Sequence, residues 1–107
     1  MCEYILHFRK GAKCKPQSYE DAKTVFLGSI NHKDNKLYGH PTVKPLELVE
    51  KLIRNSSSEG EIVLDTFCGS GTTCVACERL NRNYIGIEIS PEYCELSEKR
   101  INNALDK

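Results

Sequence analysis

Apolar positions along this chain fall into two spacings, and the change from one to the other marks out most of its elements. Residues 3–9, "EYILHFR", alternate imperfectly and carry Tyr4, Ile5 and Phe8, a pattern that predicts a strand. "KGAKCKPQSYEDAK" (10–23) is polar, contains Gly and Pro, and reads as a loop. "TVFLGSI" (24–30) reads as a short second strand or an apolar loop anchor, and "NHKDNKLYGHPT" (31–42) as a further loop. Helical spacing begins after it. Leu46, Val49 and Ile53 recur on one face, with Leu48 and Leu52 alongside. Pro45 is expected at the first helical position, where its missing N–H would be unpaired in any case. "NSSSEG" (55–60) ends that helix.

From residue 61 the elements follow one another closely. "EIVLD" (61–65) reads as a short buried strand, "TFCGSG" (66–71) as a turn, and 72–80 as a helix of mostly small residues. "NYIGIEI" (83–89) is the next strand. Ser90 then caps a final helix, with Pro91 at its first position, Glu92 near its positive end, and Cys94, Ser97, Ile101 and Leu105 on its inner face. Strand, glycine turn, helix, strand, helix is the βαβ order of a parallel, doubly wound sheet. The expected fold class is therefore α/β, with 1–107 as a single domain: strand and loops over 1–38, a βαβα unit over 39–107.

Composition narrows the setting. No apolar run approaches the roughly 20 residues needed to cross a bilayer. The start, "MCEYILHFRK", has no basic segment ahead of its short apolar stretch, so neither a secretory signal nor a membrane association is expected, and the cytoplasm is the expected compartment. Six cysteines then read as reduced thiols. Cys74 and Cys77 form a C-x-x-C inside the expected helix, without the second pair a zinc site needs, and read better as small core residues. Formal charge is zero overall but uneven: ten Lys/Arg against six Asp/Glu in residues 1–58 (+4), five against nine in 59–107 (−4). A basic first half would suit a polyanion, although a charge of that size is commonly just a solvated surface.

Candidate chemistry centres on "VLDTFCGSGTTC" (63–74). A phosphate-cradling P-loop requires a lysine after its last glycine, and none follows Gly71. A dinucleotide fingerprint wants a third glycine where Cys74 stands. A nucleoside carrying an amino acid needs something else: an acid ending the first strand (Asp65), glycines allowing close backbone approach (Gly69, Gly71), and an acid at the end of the second strand for the ribose. Glu88 stands there, nineteen residues after Gly69. Read singly, Asp65 could be a helix cap and Glu88 a solvated carboxylate.

"LDTFCGSGTT" resembles the cofactor motif of S-adenosylmethionine-dependent amino-group DNA methyltransferases, which modify adenine N6 or cytosine N4. "GHPTVKPLELVEKLI" (39–53) resembles the segment that precedes it in their permuted branch, where the cofactor-binding half is C-terminal, and "YIGIEISPEYCELSEKRI" (84–101) the strand and helix that follow. "EYILHFRKG" (3–11) is similar to the strand just before. The resemblance implies a class I, Rossmann-like methyltransferase fold and S-adenosyl-L-methionine as cofactor. Phe67, Gly69 and Gly71 would form the turn under its methionine part, with backbone groups of Cys68 and Ser70 exposed to it and Thr72 opening the helix beyond. Asp65 would order the turn and meet the amino end, Glu88 would take the ribose hydroxyls, and His40, Thr42 and Lys44 would approach the carboxylate.

The family's catalytic motif, Asp/Asn/Ser-Pro-Pro-Tyr/Phe, does not occur in these residues, since Pro16, Pro41, Pro45 and Pro91 stand apart from one another. No catalytic residue is therefore assigned. The resemblance implies the C-terminal, cofactor-binding part of an enzyme acting on double-stranded DNA, with open strand edges that favour a homodimer or an upstream catalytic polypeptide. The competing expectation is a non-catalytic S-adenosylmethionine-binding or regulatory remnant.

Overall fold

The computed structural model describes residues 3–11, 16–28, 36 and 43–106. Elements follow in the order α1 (Tyr19–Ala22), α2 (Leu46–Ser56), β1 (Ile62–Asp65), α3 (Thr72–Arg79), β2 (Asn83–Gly86) and α4 (Pro91–Leu105). β1 and β2 pair in parallel, with Ile62 opposite Asn83 and Asp65 opposite Gly86, and α3 is their crossover. Hydrogen bonds extend the pairing at both ends, from Asn83 N–H to Glu61 O (2.9 Å) and from Ile87 N–H to Asp65 O (2.9 Å). This is part of a Rossmann-like sheet, as the βαβ order predicts.

The core lies on one side of the strands. Ile53 of α2 meets Ala76 and Cys77 of α3, with Leu46, Val49, Val63, Leu80 and Tyr84 packed around them. The small residues of α3 let neighbouring helices approach closely, which is why Ala76 and Cys77 are wholly buried. The C-x-x-C cysteines are core residues, as the sequence suggests. On the other side of the strands Ile62, Leu64 and Ile85 are exposed, so β1 is covered on one face only and is not the buried strand its apolar run predicts.

Three further expectations change. Residues 3–9 form no strand: no described strand pairs with them, and Tyr4, Leu6 and Phe8 are exposed. Residues 24–28 form no strand either and leave Leu27 exposed, which the loop alternative for 24–30 allows. Pro45 is the N-cap of α2, with an extended ψ of 125°, so the helix proper begins at Leu46. On α4 Leu105 is exposed while Arg100 is buried, because the inner stripe closes on a polar turn instead of an apolar wall. Ser90 caps α4 as expected, accepting from Tyr93 N–H, with Pro91 first in the helix.

Candidate functional site

At the carboxyl end of β1 the chain must reverse into α3 within a few residues, and Asp65 fixes that reversal. Its Oδ1 accepts from Phe67 N–H (3.1 Å) and its Oδ2 from the Thr73 hydroxyl (2.6 Å), so one carboxylate spans the turn from its start to the first helical turn. Gly69 and Gly71 have φ of 52° and 81°, the left-handed region that costs a side-chain-bearing residue energy. Gly71 is also the N-cap of α3, and a Cβ added there would lie 2.8 Å from Ser97 Cβ. Both glycines are required by the path, and Gly71 by space as well.

The end of β2 meets the same turn. Glu88 Oε2 accepts from Gly69 N–H (2.8 Å), and its Oε1 accepts from Ser90 N–H (3.0 Å) at the start of α4. One side chain thus joins the glycine turn, the strand end and the helix cap. Cys68 N–H donates to Ile87 O (3.0 Å) and Cys68 O accepts from Gly71 N–H (2.8 Å). The Ser70 carbonyl accepts from Arg100 (2.8 Å), and Ser70 and Thr72 are buried. Phe67, by contrast, stands 88% exposed at the crest of the turn.

Gly86 lets the turn lie close to β2. A Cβ there would sit 2.9 Å from Cys74 Sγ and 3.1 Å from Cys68 Sγ. Burial pushes the Cys68 thiol up, helped by the nearby carboxylates of Asp65 and Glu88. Burial likewise raises Cys74 to about 12 and Cys77 to about 11. None of the three is poised as a nucleophile.

Of the residues singled out from sequence, Asp65, Phe67, Cys68, Gly69, Ser70, Gly71, Thr72 and Glu88 converge on this one turn. Lys44 stands apart at the surface, its Nζ 3.1 Å from Glu3 Oε1. His40 and Thr42 lie outside the described residues. Sequence reasoning assigned Ser97 to an inner face without a partner and passed over Arg100. The hydroxyl of Ser97 donates to Gly69 O (2.8 Å), and Arg100 Nη1 donates to Ser70 O, Ser70 Oγ and Thr72 Oγ1 (2.8, 2.9 and 3.1 Å). Their spacing of three on a helix was the available signal.

Fit to a ligand can be judged from the donor set. Two acids, Asp65 and Glu88, flank the turn, which suits a cationic amino-acid nucleoside better than a polyphosphate.

The family model described as DNA methylase, N6_N4_Mtase, matches residues 1–99. The type II methyltransferase M2.MboI of Moraxella bovis is 51% identical over 109 residues, spanning 92% of this chain and 40% of its own length. The type II methyltransferase M2.DpnII of Streptococcus pneumoniae is 46% identical over 80 residues, 74% of this chain and 30% of its own length. Among solved structures, an M1.HpyAVI–SAM complex superposes with a TM-score of 0.69 at 42% identity, covering 82% of this chain and 42% of the other. The cytosine-N4-specific PvuII DNA methyltransferase gives 0.56 at 33% identity, covering 69% and 30%. The chain therefore spans well under half the length of the relatives it matches.

Proposed function

Because this chain belongs to the DNA methylase family of N6 and N4 methyltransferases, we propose that it is the S-adenosylmethionine-binding portion of a site-specific DNA methyltransferase, one that modifies an exocyclic amino group, N6 of adenine or N4 of cytosine. The observation that carries this reading is the convergence of Asp65 and Glu88, from the carboxyl ends of two adjacent parallel strands, on a single glycine turn. Ligands of open α/β sheets sit at that end of the strands.

In this reading Glu88 accepts from the ribose hydroxyls while continuing to brace Gly69. Asp65 holds the turn and faces the amino end of the ligand, and the exposed Phe67 ring offers apolar contact. Cys68, Gly69, Ser70, Gly71 and Thr72 give the turn its shape, and His40, Thr42 and Lys44 approach the carboxylate. When bound, the cofactor supplies a methyl group on a sulfonium centre. The residues here bind and orient it.

Transfer also requires acceptors for the target amino group, and the Asp-Pro-Pro-Tyr type of motif does not occur in these 107 residues. Those acceptors belong to a further catalytic segment, covalently continuous or separate, that also engages duplex DNA in the cytoplasm. The exposed apolar side of the strands, Ile62, Leu64 and Ile85, is the surface we assign to it, since parallel sheets are normally covered on both faces.

The direct test is calorimetry on the 107-residue chain. S-adenosylmethionine or its demethylated product should bind and raise the unfolding temperature, while NAD should do neither. Preferential binding of NAD would overturn the assignment.

A further inference from the structure

The two side chains that hold the turn from behind point to a role in ligand binding that neither touches directly. Ser97 and Arg100 lie one helical turn apart on α4 and are both buried. Between them they take the carbonyl oxygens of Gly69 and Ser70, and the hydroxyls of Ser70 and Thr72. The glycine at position 71 is what admits them, since any Cβ would strike Ser97. Carbonyls drawn toward α4 are carbonyls withheld from the ligand side, so the orientation of two successive peptide units is set by this helix.

We propose that Arg100, with Ser97, is a positioning residue for the cofactor turn: it fixes the peptide planes of Gly69 and Ser70 in the orientation that S-adenosylmethionine requires, and it acts through the turn without contacting the ligand. This rests on the cofactor-binding reading above. Its physical basis is preorganisation: a turn already held in its bound shape loses less conformational freedom on binding.

A matched control is built into the fold. Arg82 is also buried and also spends its guanidinium on local acceptors, Ser57 Oγ, Ser57 O and Leu80 O, but at the opposite end of the strands. Arg100→Met and Arg82→Met therefore remove comparable buried hydrogen bonds, one set behind the turn and one set far from it. Both should lower the unfolding temperature of the cofactor-free chain. Only Arg100→Met should weaken S-adenosylmethionine binding, by roughly tenfold, the size expected when a turn must be ordered on binding instead of beforehand. Arg100→Lys, which keeps a donor, should recover part of the affinity, and Ser97→Ala should show a smaller loss of the same kind.

Amide hydrogen exchange without cofactor supplies a readout independent of ligand identity. Exchange at Gly69 and Gly71 should accelerate in Arg100→Met, and in Ser97→Ala should that variant alone fold, with the Ile85 and Ile87 amides unchanged. Equal affinities for Arg100→Met and Arg82→Met, or unchanged exchange at the turn, would overturn the positioning role while leaving cofactor binding intact. Failure of the unsubstituted chain to bind S-adenosylmethionine would instead sink the underlying reading, and the positioning role with it.

Discussion

Residues 3–28 and residues 43–106 carry similar apolar side chains but use them in opposite ways. In the first region Tyr4, Leu6, Phe8 and Leu27 are 79–90% exposed, and what is fastened is polar. Asp21, on the single turn of α1, accepts from Arg54 Nε and Nη2 (3.1 and 2.8 Å), and its carbonyl accepts from the Asn55 amide (2.7 Å). Lys51 Nζ adds a hydrogen bond to Lys23 O. In the second region two four-residue strands and helices of eight to fifteen residues bury Ile53, Val75, Ala76 and Cys77. Apolar composition alone does not make a layer. An apolar segment becomes an element when the surface it must cover, or the strand it must pair with, is present beside it.

Substitutions that probe each region should differ in size accordingly. Gly71→Val should have the largest effect, because it places a β-branched residue at a φ of 81° and drives a Cβ to 2.8 Å from Ser97. A loss of roughly 3 kcal/mol or more is expected from strain and overpacking together, read as a shift in the denaturation midpoint. A loss below about 1 kcal/mol would show that the turn relaxes away from α4 at little cost.

Asp21→Asn should fall in between, at roughly 1–3 kcal/mol, since it weakens hydrogen bonds to a charged partner. The Arg54 guanidinium holds the Asp21 carboxyl below its ordinary 3.8, so the native group is the stronger acid. Its contribution is therefore fully present above that value and is lost as pH falls through the lower folded value. Stability curves of the two proteins should converge in acid. A gap that persists there would mean that the charge is not what fastens α1.

Phe8→Ser should do least, within about 0.5 kcal/mol, as for other exposed positions. A much larger loss would erase the contrast between the regions by showing that 3–9 is packed after all.

What could be read from sequence follows the same division. The βαβα order, the Ser90 cap and the meeting of Asp65 and Glu88 at one glycine turn are encoded within a few tens of residues, where period and turn chemistry decide the outcome. The alternation in "EYILHFR" is the same kind of signal, yet it specifies only that a strand would suit those residues, not that a partner is present. Leu105 failed for a related reason. Helical spacing places it on the inner stripe, but the stripe has ended by then, and the buried neighbour is Arg100, whose partners lie about thirty residues away in the turn. Long-range polar pairing of that sort leaves no periodic trace.

The thiols beneath the turn have a chemical consequence of their own. Sulfur attacks electrophiles as thiolate, and burial holds Cys74 near 12 and Cys77 near 11. Maleimides, iodoacetamide and peroxide therefore meet, at the centre of this crossover, two groups that behave as small hydrocarbons. A C-x-x-C spelling that elsewhere signals exchange chemistry is here the inert part of the molecule. Labelling at neutral pH should leave these two silent.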